Sequence, residues 1–164
     1  MNMNEQNHEE RAALRPDADG SLQQLLLERE LHHVLVRYAR LCDERDWDAI
    51  DAVFDENASA HYGGRHLPDR AAILAMLRDN LGGCGPTQHL LGNLVVEVDG
   101  DTVTSRTAVR AAHRGTGESA EQTYDCLGEY RDLWVRTSDG WRIAHRAMVV
   151  TLEFGSRKVL GPAP

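Results

Sequence analysis

The sequence predicts a single α+β domain, with helices first and antiparallel strands after them. Three observations carry that expectation. Apolar residues repeat at helical spacing through the first half of the chain, the period changes to two from Thr87 onward, and a Gly-rich break, Gly82-Gly-Cys-Gly-Pro86, separates the two regimes. Helices grouped ahead of a run of strands are the pattern of α+β rather than alternating α/β folds. A chain of 164 residues has length for one domain with a real core.

Residues 1–20 carry charge, Asn and Gln without an apolar period, and read as a flexible arm. Ser21 follows as a candidate N-cap. Leu27, Leu31, Val34, Leu35, Tyr38, Leu41 and Cys42 then fall on one face of a first helix. Trp47, Ile50, Val53 and Phe54 share a face of a second, short helix, with Asp46 as its cap. Ala58–Tyr62 reads as a short strand ended by Gly63-Gly64. Pro68 suits the first position of a third helix, where its missing N–H costs nothing, and Ile73, Leu74, Met76 and Leu77 supply the apolar side.

Beyond the break, Leu94–Val98, the Asp99-Gly100 turn and Thr102–Arg114 form a β-hairpin. In its second strand Val103, Val109, Ala111 and His113 share one parity, and Arg106, Arg110 and Arg114 the other. Arginines mark the wet face, so His113 points inward. Two more strands, near 122–136 and 141–154, are joined across Ser138-Asp-Gly140.

Composition narrows the function. Apolar content of 41% and charge of 27% are ordinary for a globular protein and exclude wholesale disorder. A net charge of −8 with scattered basic residues argues against nucleic acid or an anionic membrane surface as partner. Cys42, Cys84 and Cys126 are odd in number and far apart, which suits buried free thiols rather than a disulfide framework or a zinc site. His61 and His66 flank the Gly63-Gly64 turn at a spacing that fits no ligand motif, so no metal is expected. With no apolar leader and no apolar run of ~20 residues, a cytoplasmic protein is expected.

Asp43 near the end of the first helix and His89 at the start of a strand are the residues with most chemical promise. A carboxylate that holds an imidazole in one tautomer makes it a competent base near neutral pH. Periodicity alone does not bring them together: at ~100° per residue Asp43 falls beside Ala39 and Val36, off the centre of the apolar stripe. Tyr38 lies on the stripe. Arg146 adjoins His145, and strand parity sends only one of them inward unless a bulge intervenes. Tyr62 and Phe54 are expected as pocket walls.

Tyr38-Ala-x-x-x-Asp43, Asp46-Trp-Asp-x-Ile50, the Gly-rich turn, a third helix, Thr87-x-His89-x-x-x-Asn93 and Gly140-Trp-Arg-Ile-x-His-Arg146 come in an order that resembles the SnoaL-like branch of the nuclear transport factor 2-like superfamily. Within it the chain is similar to the group holding scytalone dehydratase, bile-acid 7α-dehydratase and hexachlorocyclohexane dehydrochlorinase. The resemblance implies a cone-shaped α+β barrel over residues 21–154, a strongly curved antiparallel sheet closed by three N-terminal helices over a deep pocket. It makes residues 155–164 a tail that serves as pocket lid or oligomer contact. It implies a homo-oligomer, a trimer in preference to a dimer.

By the same resemblance Asp43, His89, Tyr38 and Arg146 are the catalytic residues, with His113 as a second pocket histidine beside Tyr62 and Phe54. The function expected is a cofactor-independent, dehydratase-like lyase acting on a hydrophobic cyclic small molecule. The alternatives are an isomerase or cyclase of a steroid- or polyketide-like substrate using the same base, and a non-catalytic ligand-binding or scaffold subunit of the kind seen in dioxygenase β subunits.

Overall fold

A computed structural model of the protein describes residues 18–163. Most of the arm expected over 1–20 lies outside the described residues, and 18–20 already belong to helix α1 (Ala18–Glu44), so Ser21 sits inside the first turn instead of capping it. The α1 stripe predicted from spacing is the buried one: Leu31, Leu35, Tyr38, Leu41 and Cys42 are all nearly inaccessible. A 3-10 turn, Trp47–Ala52, takes the place of the second helix, and Phe54 opens strand β1 (Phe54–Tyr62). Gly63 and Gly64 both take positive φ, 56° and 81°, to fold β1 back on β2 (Arg65–Leu67).

Helix α2 (Arg70–Leu81) is capped by Asp69, which accepts the Ala72 N–H at 2.7 Å. Pro68 therefore precedes the cap rather than opening the helix, because a carboxylate that satisfies a free N–H is the stronger start signal. Strands β3 (Thr87–Asp99), β4 (Thr102–Arg114), β5 (Thr123–Thr137) and β6 (Gly140–Gly155) follow, then a short 3-10 turn at Arg157–Val159. On β4 burial alternates strictly, with Val103, Ser105, Thr107, Val109, Ala111 and His113 inward.

The strand order is β2-β1-β6-β5-β4-β3. Three features differ from expectation. The sheet is mixed, because β1 pairs β6 in parallel. It is open, with β2 and β3 as its edges, and not a closed barrel. Among the described residues, two α-helices and a 3-10 turn stand where three helices were expected. The parallel pair is possible because α2 and four strands intervene between β1 and β6, far more chain than a parallel crossover needs.

Irregular register at Phe54/Ser59, Gly92/Val95, Leu127/Gly128 and Leu133/Trp134 bends the strands. The apolar core fills the space between the two helices and the inner face of the sheet. Among the described residues no helix is long and apolar enough to cross a membrane.

Candidate active site

Helix α1 stops because Arg45 takes a left-handed conformation, φ 60°. Its guanidinium then folds back as a clasp. Nε donates to the Leu81 carbonyl at 2.9 Å, one Nη to the Asp43 carbonyl at 3.2 Å and the Thr87 hydroxyl at 2.8 Å, and the other Nη to the Gly85 carbonyl at 3.2 Å, with a further bond to the Cys42 carbonyl. A cation at the C-terminus of α1 also meets the negative end of the helix dipole. The clasp fastens the ends of both helices to the start of β3.

That junction brings Asp43 to His89. The His89 Nδ1–H donates to Asp43 Oδ1 at 2.7 Å, the His89 backbone N–H to Oδ2 at 2.9 Å, and the Thr87 hydroxyl to Oδ1 at 3.0 Å. The Asp43 side chain keeps 24% of its exposure and that of His89 only 5%. Burial works to raise the Asp43 carboxyl, but bonds from the His89 ring and backbone and from the Thr87 hydroxyl outweigh it and hold the group below its ordinary value. An ionised carboxylate only accepts, so Nδ1 carries the hydrogen and Nε2 is the ring nitrogen left free. Asn93, which closes the Thr-x-His-x-x-x-Asn motif, sits at the β3 bulge with φ 50°, a conformation that Asn tolerates better than most residues.

His89 lines a cavity of about 330 Å³ between α2, the inner sheet face and the C-terminal turn. Tyr38, Tyr62, Tyr130, His113 and Asn80 add polar atoms to its wall, and Met76, Leu77, Met148, Val150 and Leu160 make it mostly apolar. His113 is inward, as its parity predicts. Its Nδ1–H donates to the Tyr124 carbonyl at 2.9 Å, and its ring centre lies 5.7 Å from that of His89. Burial first, then the neighbouring His89 and Arg45, push the His113 imidazole below its ordinary value, so it stays neutral with Nε2 unprotonated. The Tyr38 and Tyr62 hydroxyls are 3.0 Å apart. Burial raises both phenols, which therefore remain O–H donors; when one gives its hydrogen to the other, the second O–H is left to bind a ligand.

Arg146 is the inward member of its pair, and His145 faces out onto the Ser59 hydroxyl at 2.8 Å. Arg146 does not line the cavity. It is fully buried beneath it, with Nε and one Nη donating to the two oxygens of Asp132 at 2.7 Å each. Its guanidinium carbon lies 4.3 Å from the Tyr38 ring centre and 4.0 Å from that of Tyr130. Phe54 also lies in this lower layer, edge-on to Tyr38 at 5.9 Å. Of the residues singled out from sequence, His89, Tyr38, Tyr62 and His113 face the cavity, Asp43 orients His89, and Arg146 and Phe54 support the tyrosines from below.

The SnoaL-like domain family matches residues 23–147. The chain belongs to the SnoaL-like family. An uncharacterised protein of Mycobacterium tuberculosis is 36% identical over 123 residues, covering 71% of this SnoaL-like chain and 80% of its own length. Among solved structures, a candidate scytalone dehydratase of Novosphingobium aromaticivorans superposes with a TM-score of 0.73 at 19% identity, over 87% of this chain and 96% of that one. A type 2 hexachlorocyclohexane dehydrochlorinase superposes with a TM-score of 0.71 at 16% identity, over 83% and 93%. At these identities the solved structures speak for the SnoaL-like fold alone.

Arg45 and Asp132 had no sequence signal, and for Arg157 and Leu160 the resemblance singled out only the segment 155–164 and not the residues. Arg45 is an ordinary post-helical arginine until its φ is known. Asp132 meets Arg146 only through strand register. Arg157 and Leu160 reach the cavity from the turn beyond β6.

Proposed function

We propose that this SnoaL-like protein is a cofactor-independent, dehydratase-like lyase acting on a hydrophobic cyclic small molecule. The observation that carries this reading is the 2.7 Å contact from His89 Nδ1 to Asp43, which leaves Nε2 as the free nitrogen of a histidine that lines the cavity. Nε2 takes a proton from carbon, the C–H electron pair becomes the new C=C bond, and the hydroxyl or halide on the adjacent carbon departs with its bonding pair. Asp43 stabilises the imidazolium formed at His89, which returns its proton to a departing hydroxide to give water.

The free O–H of the Tyr38–Tyr62 pair holds the substrate oxygen on which charge develops. His113, neutral at Nε2, accepts a hydrogen bond from a substrate hydroxyl. Arg146 acts one layer down, its charge making the neighbourhood of the two tyrosine hydroxyls more hospitable to an anion. The apolar lining excludes water, which strengthens each of these contacts. A homo-oligomer, a trimer in preference to a dimer, belongs to the same reading. Exposed Leu90, Val95, Leu152 and Phe154 on the strands offer it an apolar surface, and sedimentation velocity measures it.

The test is a mass-spectrometric screen of cyclic β-hydroxy ketones and hexachlorocyclohexanes, followed by His89→Ala and Asp43→Asn on any compound turned over. Loss of water or hydrogen chloride is expected, with both variants slower by ~10²–10⁴. Product of unchanged mass would make the protein an isomerase instead. Activity within tenfold of wild type in both variants removes the dyad.

A further inference from the structure

We infer that the face of the sheet opposite the cavity carries a second site, a bis-imidazole platform of His61 and His145 for a borderline divalent transition ion such as zinc, with His66 beside it as a third ligand. His61 on β1 pairs directly with His66 on β2, and the parallel β1–β6 pairing sets His145 next to them. All three point away from the cavity, since Tyr62, Arg146 and Leu67, the neighbours in sequence of His61, His145 and His66, point inward.

The geometry is what a shared ion requires. Two nitrogens bound to one tetrahedral zinc at 2.0–2.1 Å lie roughly 3.3 Å apart, and their ring centres lie about 5 Å apart. His61 Nδ1 and His145 Nε2 are 3.4 Å apart. The ring centres are separated by 5.3 Å for His61 and His145 and by 4.8 Å for His61 and His66. As a direct hydrogen bond 3.4 Å is long; as the edge of a coordination tetrahedron it fits.

The supporting shell is also present. The other nitrogen of His145, Nδ1, is 2.8 Å from the Ser59 hydroxyl. A bond from the second ring nitrogen is what fixes the tautomer of a metal-bound histidine. With Nδ1–H donated to Ser59, His145 presents an Nε2 lone pair. His61 now bridges to it through Nδ1–H, and on metal binding it moves that hydrogen to Nε2, so both rings bind neutral and no proton is released.

Among the described residues no three His, Cys, Asp or Glu side chains already converge on one point. The third position is therefore filled by rotation of the exposed His66 ring, and water completes the set. Imidazole ligands select zinc, copper and nickel over calcium or magnesium. The ion would join β1, β2 and β6 from outside. Spacing along the chain fits no motif because the ligands come from three strands, one of them reached only through the parallel pairing.

The experiment is calorimetric titration of the full chain with zinc chloride at neutral pH, with metal-free melting curves for each variant. Wild type is expected to take up one saturable zinc and to melt higher with it, as any ligand of the folded state requires. Binding should weaken at least tenfold in His61→Ala and in His145→Ala, and stay unchanged in His33→Ala and His89→Ala. His61 is exposed, so its variant reports on the site even where loss of the Ser59 bond unsettles His145→Ala. Wild-type affinity in the His61→Ala variant, loss of binding in His89→Ala, or no uptake by wild type overturns the site.

Discussion

Asp132→Asn isolates the support beneath the candidate site. Asp132 and Arg146 are both fully buried and share two 2.7 Å hydrogen bonds, while the remaining Arg146 Nη has no partner among the described residues. The substitution keeps shape and one acceptor but leaves a guanidinium charge with nothing opposite. Breaking a buried pair from one side costs about 3–5 kcal/mol. The rings of Tyr38, Tyr130 and Phe54 within 4.0–5.6 Å of the guanidinium carbon do not reduce that cost, because the wild type already has them.

The lower end, about 3 kcal/mol, is expected since Asn retains one acceptor, and for a domain of this size that lowers Tm by roughly 10 °C. Urea unfolding of wild type and variant at neutral pH measures the difference. A double variant, Asp132→Leu with Arg146→Met, should recover most of the loss, because removing both charges together is far milder than removing one. A loss under about 1 kcal/mol in Asp132→Asn, against the 3–5 expected of a broken buried pair, would refute the assignment of Arg146 as a buried cation held by that one carboxylate.

Two other substitutions probe the geometry. Arg45→Met removes bonds to Leu81, Cys42, Asp43, Thr87 and Gly85, and at 0.5–1.5 kcal/mol each at least about 2.5 kcal/mol of stability should go with them; a melting curve checks this, and turnover of any substrate found should fall as β3 loosens from α1. His113 has its pKa depressed from 6.5, so its contribution to stability is complete above that value and is lost as pH falls below it. Chemical denaturation at a series of pH values should show His113→Gln with a flatter slope than wild type below pH 6.5, while the depressed Asp43 carboxyl acts only near and below its ordinary 3.8.

Much of the fold is local and was legible. The α1 stripe from Leu31 to Cys42, the parity that turns His113 inward and the Asp99-Gly100 turn each follow from neighbours within one element. The misses share a cause. Phe54 sits at helical spacing from Ile50, yet it begins a strand, since the turn between them is 3-10 and ends at Ala52. Asp43 looks solvent-facing on a helical wheel because the surface covering it, the start of β3, lies 44 to 46 residues downstream. Which strand β1 would join, and in which direction, is written nowhere near β1. Strand parity left Arg146 and His145 competing for one inward place, and the distance of Arg146 from the cavity depends on three aromatic rings drawn from α1, β1 and β5.

The C-terminal turn has a consequence for how such a protein can change. Arg157 and Leu160 help enclose the cavity, yet they lie in a turn beyond the last strand and belong to neither the sheet nor a helix. The Gly161 N–H and carbonyl, bonded to Asn80 and Gly83, anchor the segment by its backbone, so the anchoring does not depend on which side chains flank it. Leu160 also packs on the core and Arg157 pairs with Glu153 beside the Tyr124 ring, so exchanges at these two positions cost side-chain contacts but leave the backbone anchor in place. This part of the cavity wall is thus set apart from Asp43 and His89, and descendants could drift toward new ligands while inheriting that pair intact.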